Sequence, residues 1–170
     1  MFFPILKKMT KFGFDEQLYN KLDIWLGTRG ASDAKYLSPV KFSKDVNIAE
    51  EAAIAMFAAG TLSEFGILRA KLCVRCPICD YSARVFYQLG EIPRSLVICD
   101  ACEAEVLAHP ENVRVWFELA KSPEDYQYNG SLFEKSKGNS FSFEDYDYGL
   151  CPEGLKKSPN HLIRRLASNI

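Results

Sequence analysis

The chain has 170 residues, of which 48% are hydrophobic and 13% aromatic, with 21 Lys and Arg against 22 Asp and Glu and a formal net charge of −1. That much apolar material excludes a mainly disordered chain, and charge this close to balance excludes a protein coated in basic residues that holds DNA by phosphate attraction alone. No apolar run approaches the roughly 20 residues that span a bilayer. Residues 1–6 place no basic residue ahead of their short apolar stretch, which predicts no export signal and a soluble, cytoplasmic chain.

Residues 15–26 carry Leu18, Leu22, Trp25 and Leu26 at helical spacing, with Asp15 and Glu16 at the N-terminal end and Gly27 to close. Gly27, Gly30, Ser32, Asp33 and Pro39 mark residues 27–39 as a loop or turn. Residues 39–46 fit either a short helix or the first strand of a wing. Asn47, with Glu50 three residues later, reads as the N-cap and capping box of an alanine-rich helix that ends at Gly60. Its core face would hold Ile48, Ala52, Ala55 and Met56 or Phe57. Residues 61–66 read as a second, short helix with Gly66 at its end, and residues 67–74 alternate toward a strand. Residues 83–89, 95–98 and 113–119 read as further strands. From Ser122 the composition shifts to polar residues interleaved with Tyr126, Tyr128, Phe133, Phe141, Phe143, Tyr146 and Tyr148, and with Glu144, Asp145 and Asp147. This predicts either an extended segment laid on a partner or on its own domain, or a loop with surface tyrosines. Residues 160–167 read as a short amphipathic helix whose basic residues come late.

Six cysteines are present, and four form Cys76-Pro-Ile-Cys79, nineteen residues, Cys99-Asp-Ala-Cys102. This C-x2-C-x19-C-x2-C spacing is that of a zinc site. A tight turn aims both sulfurs of one CxxC at a point, and two such knuckles complete a tetrahedron. The expected ligands are therefore Cys76, Cys79, Cys99 and Cys102 around one structural Zn2+. A set shifted onto Cys73 is the alternative, and Cys151 is expected to be a buried or free thiol. A disulfide framework needs an oxidising compartment, and a redox pair at Cys76 and Cys79 needs a strand–helix context. Four thiolates fill the coordination sphere, whereas a catalytic zinc keeps one position open. His109-Pro110-Glu111 fits H-x-E but follows the cysteines, so the order of a zinc deaminase fails. No phosphate loop, G-x-G-x-x-G, H-E-x-x-H or G-x-S-x-G is present. The expectation is a non-enzyme with no small-molecule substrate.

Helix, short helix, glycine, strand is the layout of a winged helix-turn-helix; a generic helical bundle is the alternative. The chain is thus expected to be α+β. An N-terminal winged helix-turn-helix would occupy residues 1–72, a four-cysteine zinc ribbon 73–121, and an irregular aromatic C-terminal segment with a short terminal helix 122–170. The run NIAEEAAIAMFAAGTLSEFGILRAKLCVRCPIC is similar to small bacterial winged-helix proteins whose last strand runs into a zinc ribbon. The chain also resembles the middle component of three-component, SMC-type ATPase systems of the Lamassu defence type. That resemblance implies a non-catalytic adaptor in an antiviral defence complex, with protein partners such as an SMC-like ATPase and an effector nuclease. DNA would be reached through the complex. The second expectation is a direct DNA-binding transcription regulator. Its recognition element would be residues 61–66, with Arg69 and Lys71 nearby, and Arg75, Arg84 and Arg94 in or beside the ribbon as further nucleic-acid or partner contacts. The third is a CxxC redox protein.

Overall fold

The computed structural model describes residues 1–124 and 148–170. Most of the aromatic segment expected from Ser122 onward, residues 125–147, lies outside them. The molecule is α+β, with helices first and a small antiparallel sheet after them. It forms two compact units. One is built from Met1–Arg69 and the chain from Phe117, the other from Ala70–Trp116 and the C-terminal residues ending at Ile170.

The helical unit begins with an element the sequence reading did not anticipate, a 3-10 helix over Pro4–Phe12. Phe3, Leu6 and Met9 are buried. A 3-10 helix stacks residues i and i+3 on one edge, so a spacing of three, continued by Phe12, draws a single apolar stripe. Gly13, at φ 85, closes the run with its amide on the Met9 and Thr10 carbonyls. Helix α1, Glu16–Gly27, is capped by Asp15, whose carboxylate accepts from the Leu18 amide at 2.8 Å. It buries Tyr19, Leu22, Asp23, Trp25 and Leu26. Asp23 is 4% exposed and accepts the amides of Phe2 and Phe3 at 2.9 and 2.6 Å. A side chain on Gly27 would run into the Phe2 ring, so this glycine is set by close approach as well as by its place at the helix end.

Helix α2, Pro39–Val46, resolves the ambiguity at 39–46 in favour of a helix, with Ser38 as N-cap and Pro39 in its first turn. Asn47 does not cap the following helix. It sits at φ 52 as the left-handed C-cap of α2, a conformation that Asn tolerates better than most residues. Helix α3, Glu50–Gly60, starts after Ala49 with no side-chain cap, so the expected capping box does not form. Its second half is buried on nearly every side, from Ala55 through Gly60. Trp25, Phe42, Phe57 and Phe117 form the aromatic centre of this unit. Trp25–Phe42 and Phe57–Phe117 are edge-on pairs at 5.3 and 5.1 Å. The Trp25 indole N–H donates to Asp45 at 2.8 Å, and Arg29 lies 4.2 Å from the ring centre.

Residues 61–66 are not a helix. They form turns in which Leu62 and Phe65 close back on Ala59 and Leu62, and Gly66 takes φ 57. Gly60 and Gly66 bracket too few residues to nucleate a separate helix. The recognition element expected there is therefore absent.

Strands β1, Leu68–Arg75, and β5, Val113–Leu119, each contribute residues to both units. Strand β2, Ser82–Phe86, pairs antiparallel with β1, and the sheet order is β2-β1-β5. Leu37 bridges Phe117 on β5. A second, two-stranded sheet pairs β3, Leu96–Ile98, with β4, Glu105–Leu107. Strand β4 was not expected from sequence. In the same unit, helix α4, Pro152–Lys156, packs with helix α5, His161–Asn169, which Asn160 caps through the Leu162 amide. The terminal helix thus forms as expected, and it buries Leu162, Ile163, Leu166 and Ala167. As far as it is described, the C-terminal segment is part of the ribbon unit rather than a separate extension, tied by the Val115–Leu150 bridge. No helix is long and apolar enough to cross a membrane among the described residues.

Candidate metal centre

Two β-hairpins present the cysteines, and their turns are copies of one another. In the first, between β1 and β2, the Cys76 amide donates to the Tyr81 carbonyl and the Asp80 amide to the Cys76 carbonyl, both at 2.9 Å. In the second, between β3 and β4, the Cys99 amide donates to the Ala104 carbonyl and the Glu103 amide to the Cys99 carbonyl, again at 2.9 Å. The residue after each CxxC is left-handed, Asp80 at φ 61 and Glu103 at φ 60. This repeated geometry turns the chain so that both sulfurs of a pair face the same side.

The four Sγ atoms of Cys76, Cys79, Cys99 and Cys102 lie within 4.8 Å of one another. Cys76 and Cys102 are 3.6 Å apart, as are Cys79 and Cys99. A tetrahedral ion with Zn–S of about 2.3 Å has sulfur–sulfur edges of about 3.8 Å, far from the roughly 2.05 Å of a disulfide. The donor set is all soft sulfur, of the type that selects zinc over hard cations. Both short edges run from one hairpin to the other, so an ion held here staples the two. The four cysteines are therefore positioned to bind one metal ion.

The environment of the sulfurs is uneven. Burial pushes the Cys76 thiol up, but backbone hydrogen bonds from Cys79 and Ile78, with help from the Cys79 and Cys102 side chains, outweigh it and lower Cys76 to about 7. Cys79 receives a lowering bond from the Tyr81 backbone, yet burial and the three neighbouring thiols together push it up to about 12. Cys102 is likewise raised, against the Ala104 backbone, by burial and by Cys76 and Cys99. One thiolate forms readily and its neighbours resist joining it, because negative charge accumulates at a single point. A dication at the centre would favour the charged form of the thiols.

The other expected residues are dispersed. Cys73 is buried on β1 opposite Val85 and is not part of the cluster, so the shifted ligand set does not form. Cys151 is an exposed thiol. The pair Cys76–Cys79 sits in a hairpin turn rather than at a helix N-terminus. His109 lies 3.8 Å from Glu111, both exposed and both outside the cluster. Lys71 is 4% exposed and cannot serve an exposed basic surface; its place in the middle of β1 turns it inward. Arg69 pairs with Glu118, Arg75 with Asp80 at 2.9 Å, and Arg84 with Asp100 at 3.5 Å. Asp80 and Asp100 directly follow Cys79 and Cys99, so two guanidinium groups stand beside the two knuckles. Arg94 is exposed.

Sequence reasoning missed the outward side of the second hairpin. Val97 and Val106 face in, while Leu96, Ile98 and Leu107 are 50, 56 and 53% exposed. The signal was present in the period of two. If Val97 faces the core, Leu96 and Ile98 face out.

Comparison of the chain with family models, with curated proteins and with solved structures finds no match.

Proposed function

We propose that the protein is a non-catalytic adaptor subunit of a multi-protein, DNA-directed complex, with one structural Zn2+ held by Cys76, Cys79, Cys99 and Cys102. The observation that carries this reading is where the exposed apolar side chains fall. Of eight large apolar residues left exposed among the described ones, six lie in the ribbon: Ile78, Tyr81, Tyr87, Leu96, Ile98 and Leu107. Exposed apolar side chains concentrated in one unit support a surface covered by another protein. A site closed by four thiolates supports a scaffold role and gives substrate no open position. Free thiols fit a reducing compartment, which supports a cytoplasmic location in this reading. The partners are those the resemblance implies, an SMC-like ATPase and an effector nuclease, in an antiviral defence complex.

A direct DNA-binding role is the second reading, favoured by one observation. Helix α1, the isolated Leu37–Phe117 bridge, helices α2 and α3, and then β1 and β5 follow one another in an order that supports a winged helix-turn-helix reading, in which α3 would take the recognition role. The surface speaks for the adaptor instead: α3 has no Lys or Arg and begins with exposed Glu50 and Glu51, and base reading relies on basic and amide donors.

The test is purification of the tagged full chain from its native host. The adaptor reading expects a stoichiometric complex with an ATPase and one equivalent of zinc. A lone protein that binds DNA with a steep salt dependence would replace it with the regulator reading, and thiol–disulfide exchange that survives chelation would replace it with the redox reading.

A further inference from the structure

The ribbon unit contains a half-open cavity of about 500 Å3. Its walls are mostly apolar, with Ile92, Leu107, Val113 and Pro152 among them. Arg94, His109, Glu153 and Lys156 supply the polar groups. Arg94 and Lys156 are exposed and form no ion pair among the described residues, whereas Arg69, Arg75 and Arg84 each have an acidic partner. Among the described residues, the cavity lining therefore holds two cations without an ion-pair partner against one carboxylate, Glu153.

The cavity is continuous with the outward face of the second hairpin. Leu107 lines it and pairs across the ladder with Leu96. Leu96 and Ile98 stand on the same face two residues apart. The result is a short, mainly apolar track, with Glu105 at the end beside Ile98, that leads from a two-stranded sheet into a pocket rimmed by Arg94 and Lys156. A compact ligand needs only the pocket; the exposed track beside it matches something extended. Side chains on alternate positions of a strand-like segment reach the same surface about every 7 Å, which suits Leu96–Leu107 followed by the pocket.

We infer that this groove, in a chain that acts as the adaptor proposed above, seats an extended segment of a partner protein in which carboxylates flank a large apolar side chain. The apolar side chain enters between Ile92, Leu107, Val113 and Pro152, and the carboxylates meet Arg94 and Lys156. Charge selects acidic over basic segments, and the apolar track supplies the contact area.

The experiment selects binders to the zinc-loaded full chain from a randomised displayed peptide library. The expected result is enrichment of Asp or Glu next to Leu, Phe, Tyr or Trp. A synthetic peptide of the enriched sequence then binds wild type about tenfold or more tightly than Arg94→Glu/Lys156→Glu, and its Lys-for-acid version shows the reverse order. Leu107→Ser weakens binding of both peptides. Zinc content and thermal unfolding of each variant verify that it is folded. Recovered peptides without acidic bias, no recovered peptides, or equal binding by the double variant overturn the inference. So does a wild-type dimer that the double variant dissolves, which assigns the groove to a second copy. Peptides matching the chain's own Phe141-Ser-Phe-Glu-Asp-Tyr-Asp147 would also overturn it, in favour of the chain itself. Native-host purification separates the two proposals: a double variant that keeps its ATPase leaves the adaptor standing and removes the groove.

Discussion

The helical unit and the second hairpin of the ribbon unit differ sharply in how much apolar surface they bury. In the helical unit, Phe42, Phe57 and Phe117 are fully buried and Trp25 nearly so, and edge-on ring pairs add about 0.5–1.5 kcal/mol each beyond area burial. In the ribbon, the second hairpin buries only Val97 and Val106 of its strand residues and leaves Leu96, Ile98 and Leu107 in water. A two-stranded hairpin is marginal by itself. An ion held by the four cysteines would supply what packing does not. In the proposed zinc-bound form, a coordination bond would hold a hairpin that has little core of its own and leave its apolar side chains exposed.

Metal removal should break this contrast most severely. Structural zinc contributes about 10–16 kcal/mol of apparent binding free energy, so chelation, Cys76→Ser or Cys99→Ser should abolish folded ribbon signals in NMR spectra while helical circular dichroism from residues 16–60 persists. Because the two knuckles are copies, both variants should lose metal equally; a retained equivalent in either would reject the four-cysteine centre. Zinc content should also fall as the solution is acidified. Protons compete with the ion for sulfur, and burial and neighbouring thiols raise Cys79 and Cys102, which favours their protonated form. Returning to neutral pH should restore the zinc, and a metal content flat from neutral to acid would contradict the expectation.

The complementary perturbation is Phe57→Ala, which removes a ring at the middle of the aromatic cluster and should cost about 3–5 kcal/mol. Denaturant unfolding should show the helical unit weakened with zinc stoichiometry unchanged. Loss of zinc in this variant would show that the ribbon leans on the helices. A smaller effect is expected from Asp23→Ala, which strips the amides of Phe2 and Phe3 of their acceptor. It should cost about 1–3 kcal/mol and expose residues 1–12 to hydrogen exchange first. The smallest effect should come from Glu103→Gly. At φ 60 glycine relieves the left-handed strain of an L residue but loses more chain entropy on folding, so a gain of under about 1 kcal/mol is expected in thermal unfolding of the zinc-loaded protein.

Much of this contrast was readable from residue order. Cys76, Cys79, Cys99 and Cys102 came together as their spacing implied, and helix α1, strand β5 and the terminal helix lie close to where periodicity put them. The errors have a common cause. Asn47 suits either end of a helix, and only the closing of α2 over Ser43 and Ile48 decided which. Residues 61–66 have acceptable helix propensity, but Gly60 and Gly66 let the chain turn there so that Ile67 could hydrogen-bond back to Gly60. Lys71 alternates with apolar neighbours as a surface residue would, yet β1 has sheet neighbours on both sides and buries both faces. Strand β4 is three residues long and exists through its pairing with β3.

The sequence by itself determined the four-cysteine cluster, the α+β order and the apolar stripes of the helices, because these depend on spacing along one segment. Only the tertiary structure decided which cations stay unanswered, which apolar side chains remain in water, and that a cavity opens beside them. Those properties belong to surfaces assembled from distant segments, where each residue's exposure depends on what packs against it rather than on its own neighbours in the chain.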